Sequence, residues 1–60
     1  EEKLIEKLAV ANAMIKFGGS FVKALGQALL YADNINAKKI ERTFDEYYIK
    51  YLTMSQRKDI

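Results

Sequence analysis

The chain has 60 residues, of which 50% are apolar and 30% charged, and a formal net charge of +2. That length allows one domain, which buries only about 60% of the surface its unfolded form exposes and is marginal unless something adds burial. Cysteine and histidine are both absent, which excludes disulfides, Cys/His zinc sites and any nucleophile paired with histidine, and leaves oligomerisation as the aid to a small core.

The charge favours solubility and is too small by itself to demand nucleic acid or a membrane surface. No apolar run approaches the roughly 20 residues of a membrane span. The opening "EEKLIEK" is charged rather than basic and then apolar, so it does not read as a signal peptide. A first residue that is Glu rather than Met points to a processed or truncated N-terminus. A cytoplasmic protein is expected.

Residues 2–17 predict a first helix. At about 100° per residue, Leu4, Leu8, Ala11 and Ile15 share one stripe, with Ile5 at its edge, and Glu2, Lys3, Glu6, Lys7 and Lys16 mostly oppose it. Val10, Met14 and Phe17 form a second apolar row on the far side. A helix that is apolar on two sides is packed on two sides. One side can be the chain's own core while the other, the row Val10, Met14 and Phe17, invites a partner chain; alternatively the small fold simply wraps the helix. Asn12 falls within the main apolar arc. There it can bond a neighbouring backbone, or fix register across an interface as buried Asn does in coiled coils.

Gly18 and Gly19 follow. Glycine takes the left-handed position after a helix without steric penalty, so the pair reads as a stop, with Ser20 capping the next helix. Neither spacing of a phosphate-binding glycine loop is present. Residues 21–32 predict the second helix, with Phe21, Val22, Leu25, Ala28, Leu29 and Ala32 on its core face. Gly26 lies mid-helix, where it either permits close approach of another backbone or is a tolerated defect. Asn34 or Asn36 is expected to cap a third helix over 36–43, with Ala37, Ile40 and Phe44 on one face and Lys38, Lys39 and Arg42 on the other. Thr43 and Glu46 have the spacing of a capping box, which predicts a fourth helix over 44–54 with Asp45 and Glu46 in its first turn. Phe44, Tyr47, Tyr51 and Met54 line one side of it. Helices three and four can alternatively run together. "SQRKDI" has no apolar period. The expected fold is all-α, a compact bundle of three to four short helices whose first two form an antiparallel hairpin. Residues 1–54 form the domain and residues 55–60 a frayed tail.

Catalytic constellations are missing. Ser20 and Ser55 have no histidine or cysteine to pair with. Glu41 and Asp45 stand four residues apart, where they share one face if helices three and four run together and are separated if a boundary falls at Thr43; acids beside lysines normally form a solvated face. "DNIN" lacks the later ligands and glycine of a calcium loop, which Ile35 and Ala37 interrupt. No enzyme activity, cofactor, metal or small-molecule substrate is expected.

Two binding surfaces remain. Four tyrosines and three phenylalanines are more than one small monomeric core can hide. Val10, Met14, Phe17, Tyr31, Tyr48 and Ile49 are therefore the interface candidates, with a homo-oligomer, a dimer first, or a second protein as partner. Lys38, Lys39 and Arg42, supported by Lys16 and Lys23, form an alternative basic face for nucleic acid. That face carries no Gln, Asn or further Arg series to read bases.

The stretch from "IKFGGSFVKALGQALLYAD" through "NAKKIERTFDEYYIKYL" covers residues 15–52. It resembles small proteins of no known activity encoded by bacteriophages, prophages and other mobile elements of bacteria. Such relatives often carry Pro where this chain has Asp45 and Trp where it has Tyr48. Both Pro and Asp suit a helix start. The resemblance implies a phage-type accessory role in a bacterial host cytoplasm and brings no activity with it; for an interaction protein in that setting the expected partner is a host or phage protein.

Overall fold

The computed structural model of the chain describes the backbone of residues 2–56 and the side chains of residues 5–56. Four helices follow in order: α1 (Glu2–Phe17), α2 (Ser20–Tyr31), α3 (Asn34–Thr43) and α4 (Asp45–Ser55). No strand occurs among the described residues. The fold is the expected small all-α bundle, opening with an antiparallel hairpin. Helix α1 packs most extensively against α2 and next against α4, while α3 touches its neighbours least. Of the expected frayed tail, residues 57–60 lie outside the described residues. Ser55 completes α4 and donates its hydroxyl to the Leu52 carbonyl at 2.7 Å.

The core gathers Val10, Ala11, Ala13 and Met14 from α1, Val22, Leu25 and Leu29 from α2, and Tyr48 and Tyr51 from α4. Val10, Met14 and Leu29 are fully enclosed. Burying each large side chain of this set contributes about 1.5–3 kcal/mol. Ala37, Ile40 and Phe44 pack against it from one side of α3 and its end, as their spacing predicts.

The buried face of α1 corrects the expectation. Val10 and Met14, assigned to a partner, are in the core, whereas Ile5 is 68% exposed and Leu8 37%. The reason lies in α2. A methyl group on Gly26 would stand 2.7 Å from Met14 Cβ and 2.9 Å from the Ala11 carbonyl oxygen, so the two helices approach too closely there for any side chain on α2. Such an approach needs a small residue opposite, and Ala11 supplies it, flanked by Met14 and by Ile15, whose Cγ1 would stand 3.1 Å from that methyl group. Asn12 consequently faces outward with Leu8. On α2 the buried arc is narrower than predicted: Phe21 is 56% exposed, and Ala28 is exposed.

Both tight connections differ in detail from the sequence expectation. Gly18 and Gly19 do end α1, yet neither has positive φ. Gly18 is demanded by crowding instead, since a Cβ there would lie 2.5 Å from Val22 Cγ1 and 2.6 Å from the Met14 carbonyl oxygen. Gly19, not Ser20, is the N-cap of α2 and contributes no side-chain cap. Helix α3 begins two residues before the predicted start, because Asp33 is its cap: the Asn36 amide donates to Asp33 Oδ1 at 2.8 Å. The Thr43–Glu46 capping box does not form. Thr43 stays inside α3, and Phe44 alone, at φ −116° and ψ 45°, separates α3 from α4. Asp45 and Glu46 do occupy the first turn of α4, where the helix dipole favours them.

Candidate functional site

The six interface candidates divide. Val10 and Met14 are fully buried and Tyr48 is 5% exposed, so these three belong to the core and offer no surface. Phe17, Tyr31 and Ile49 are exposed, Tyr31 to 84%. The aromatic surplus inferred from composition is therefore real but smaller, because Tyr48 and Tyr51 find room between α1 and α4.

Tyr48 is enclosed because its polar end is satisfied. Its hydroxyl donates to Glu6 Oε2 at 2.9 Å, tying α4 to α1. Burial, that hydrogen bond and the negative charges of Glu6 and Glu41 together push the phenol far above its ordinary range, so it stays protonated. A second polar tie closes the opposite corner. Lys7 Nζ donates to the Ala32 carbonyl at 2.6 Å, placing a cation at the C-terminal end of α2.

Three exposed apolar areas result. The first is the outward side of α1, with Ile5 and Leu8. The second is an aromatic cluster that sequence reasoning did not assemble. Phe21 meets Phe44 and Tyr47 edge-on, each with ring centroids 5.9 Å apart. Phe44 and Tyr47 are 6.4 Å apart and tilted. Edge-to-face pairs of this kind are worth about 0.5–1.5 kcal/mol beyond their burial. Phe21 and Tyr47 nonetheless leave 56% and 37% of their surface in solvent. The Phe44/Tyr47 spacing of three was the available signal; the partner across from them was not. The third area is the α2–α3 corner, with Tyr31 and with Ile35 at 69% exposure.

The basic candidates Lys16, Lys23, Lys38, Lys39 and Arg42 are all exposed. Lys16 Nζ lies 5.4 Å from the Phe17 ring centroid, within reach of a cation–π attraction. On α3, Ile35, Lys38, Lys39 and Arg42 share an arc of about 100°, opposite Ala37 and Ile40. Arg42 also lines a shallow cleft of about 320 Å³ with Glu41, Asp45, Tyr48 and Ile49. Glu41 and Asp45 thus line one surface across the bend at Phe44, together with Arg42. Among the described residues no group of three or more acids or other ligands is placed to hold a metal. Within the same residues no helix is long and apolar enough to cross a membrane. No protein-family model matches this chain, no curated protein matches it, and no solved structure matches it.

Proposed function

We propose that this chain is a non-enzymatic interaction protein that associates with itself or with a second protein through its exposed apolar surface. One observation carries the reading. Among the described residues eight large apolar side chains are exposed, namely Ile5, Leu8, Phe17, Phe21, Tyr31, Ile35, Tyr47 and Ile49, while Leu30, Ile40, Phe44, Leu52 and Met54 are only partly buried against the core. Scattered apolar residues are ordinary on a protein surface. This many exposed on so short a chain leaves a domain of marginal size with apolar surface that further burial would stabilise. A covering partner supplies that burial. The setting implied by the resemblance is the cytoplasm of a bacterial host, with an accessory role for a phage or mobile element.

Light scattering across a hundredfold range of concentration tests the self-association. The expected result is a mass that rises from 6.9 kDa toward a dimer. A constant 6.9 kDa at the highest concentration removes self-association from the proposal.

The outer face of α3 favours a second reading, binding to a nucleic-acid backbone. Lys38, Lys39 and Arg42 occupy one arc that contains no acid. On this reading the chain retards duplex DNA at low salt, and the retardation disappears steeply as salt rises. Unchanged DNA mobility at low salt sets it aside.

A further inference from the structure

The basic arc of α3 begins beside the most open ring among the described residues. Around α3, Lys38, Arg42, Ile35 and Lys39 follow one another within about 100°, and all four are exposed. No acid stands on that arc. Glu41 lies about 60° beyond Lys38 and lines the cleft with Asp45. The side-chain hydrogen bonds among the described residues engage none of the three cations. Asp33, the acid at the start of α3, accepts the Asn36 amide. Tyr31 ends α2 on the side opposite its buried Val22, Leu25 and Leu29, and Ile35 stands opposite the Ala37 and Ile40 side of α3. Only Ala32, Asp33 and Asn34 separate the two, so their Cα atoms are at most about 14 Å apart. Tyr31 is 84% exposed, more than any other large apolar side chain described, which leaves its ring open to solvent on both faces.

We infer, on the nucleic-acid reading above, that this corner binds a single strand, with Lys38, Lys39 and Arg42 along the phosphates and a base stacked on the Tyr31 ring. Charge complementarity makes the occupant a polyanion. The ring makes it a single strand. A duplex offers α3 its phosphates, but its bases are stacked on one another and leave Tyr31 without a partner. An unpaired strand offers phosphates and the open face of a base together. Stacking accepts any base, which suits a face with no Gln or Arg series to read base edges. An acidic protein helix is the poorer fit. Its apolar side needs a groove, whereas Tyr31 and Ile35, 84% and 69% exposed, project from the corner. With three cations, log K for the single strand falls against log salt with a slope of about −2, roughly 0.7 for each cation. The site is one ring and one short arc, so the affinity is modest.

Fluorescence anisotropy of a labelled oligothymidylate of about twelve nucleotides, and of its duplex with oligoadenylate, tests this on the full chain, with circular dichroism as a check on helicity. The single strand is expected to bind at least fivefold more tightly than the duplex. Tyr31→Ala weakens single-strand binding at least fivefold and keeps the salt slope, while Tyr31→Phe binds as the parent does. Lys38→Gln/Lys39→Gln weakens binding and takes about 1.4 from the slope. Phe17→Ala, which removes an exposed ring elsewhere, leaves binding unchanged. All these positions are exposed, so helicity is retained. Equal affinity for the two forms, or single-strand binding that Tyr31→Ala leaves intact, overturns the single-strand assignment and leaves the nucleic-acid reading standing. Binding that survives Lys38→Gln/Lys39→Gln with its slope unchanged moves the phosphates off α3 and overturns both. So does the absence of binding to either form at low salt; capture by phosphatidylserine vesicles in that case assigns the basic face to an anionic lipid surface instead.

Discussion

Three glycines in this chain have three different physical duties. Gly26 sets the distance between α1 and α2. Alanine there gains about 1 kcal/mol of helix propensity. Its methyl group, however, would meet Met14 Cβ and the Ala11 backbone below van der Waals distance. Overpacking of this kind costs about 1–3 kcal/mol, so Gly26→Ala is expected to lower stability in urea denaturation. Gly18→Ala is expected to do the same through Val22 and the Met14 carbonyl. Its neighbour is opposite in sign: a Cβ on Gly19 meets nothing within 4 Å, and φ is −76°. Gly19→Ser supplies the missing cap and reduces unfolded-chain freedom, a gain of up to about 1 kcal/mol. Equal effects at Gly18 and Gly19 would contradict the crowding argument. Tyr48 provides a further residue-scale test. Its folded-state pKa is raised, so the stability it contributes is present below the unfolded phenol's value near 10 and is lost as pH rises above it. Tyr48→Phe removes the bond to Glu6, costing about 1–2 kcal/mol at neutral pH. It also removes this source of alkaline destabilisation. Parallel unfolding curves from pH 9 to 12 for parent and variant would speak against the account.

Among the elements, α3 stands apart because it buries no residue of its own. Half-buried Ala37 and Ile40 hold it against the core, and Asp33 ties its first turn. Hydrogen exchange is therefore expected to be fastest in α3 and slowest in α1 and α2, where the enclosed side chains lie. Asp33→Ala removes the one side-chain cap on α3 and is expected to cost about 1 kcal/mol, with further loss of protection in that helix. Thr43→Ala serves as the contrast. The sequence marks Thr43 as a cap, but it sits within α3, so the change stays within about 0.5 kcal/mol. A large loss at Thr43 with none at Asp33 would reverse the assignment of both caps. The spacing that suggested the capping box is local. Formation of the box required α3 to end before Thr43, and the bend occurs one residue later, where the Phe44 ring reaches Phe21 across the bundle.

At the scale of the molecule, compactness and apolar exposure coexist. The radius of gyration is 10.4 Å, which matches the roughly 10 Å of a well-packed domain of this length. The exposed Ile5, Tyr31, Ile35 and Ile49 are thus not the result of an open fold. They are what remains after one small core has closed. Association that covers part of this surface stabilises the folded state by mass action, so the midpoint of thermal unfolding rises with protein concentration. A midpoint that is constant over a hundredfold dilution argues that no copy covers another. Composition indicated that a surplus exists. Its location was not legible, since three of the six anchors read from the sequence, Val10, Met14 and Tyr48, turned inward.

The sequence by itself determined the helical class, the span of α1 and the two-glycine break that begins the hairpin. These depend on period and on backbone preference, which are properties of neighbouring residues. It could not determine which of two apolar rows on α1 faces the core. Both rows satisfy the helical period, and the choice depends on what stands opposite. Tertiary structure decided it through Gly26, whose bare backbone admits Ala11, Met14 and the edge of Ile15 and leaves Ile5, Leu8 and Asn12 to the outside. It likewise placed Tyr48 inside, because Glu6, 42 residues away in the chain, was there to accept its hydroxyl.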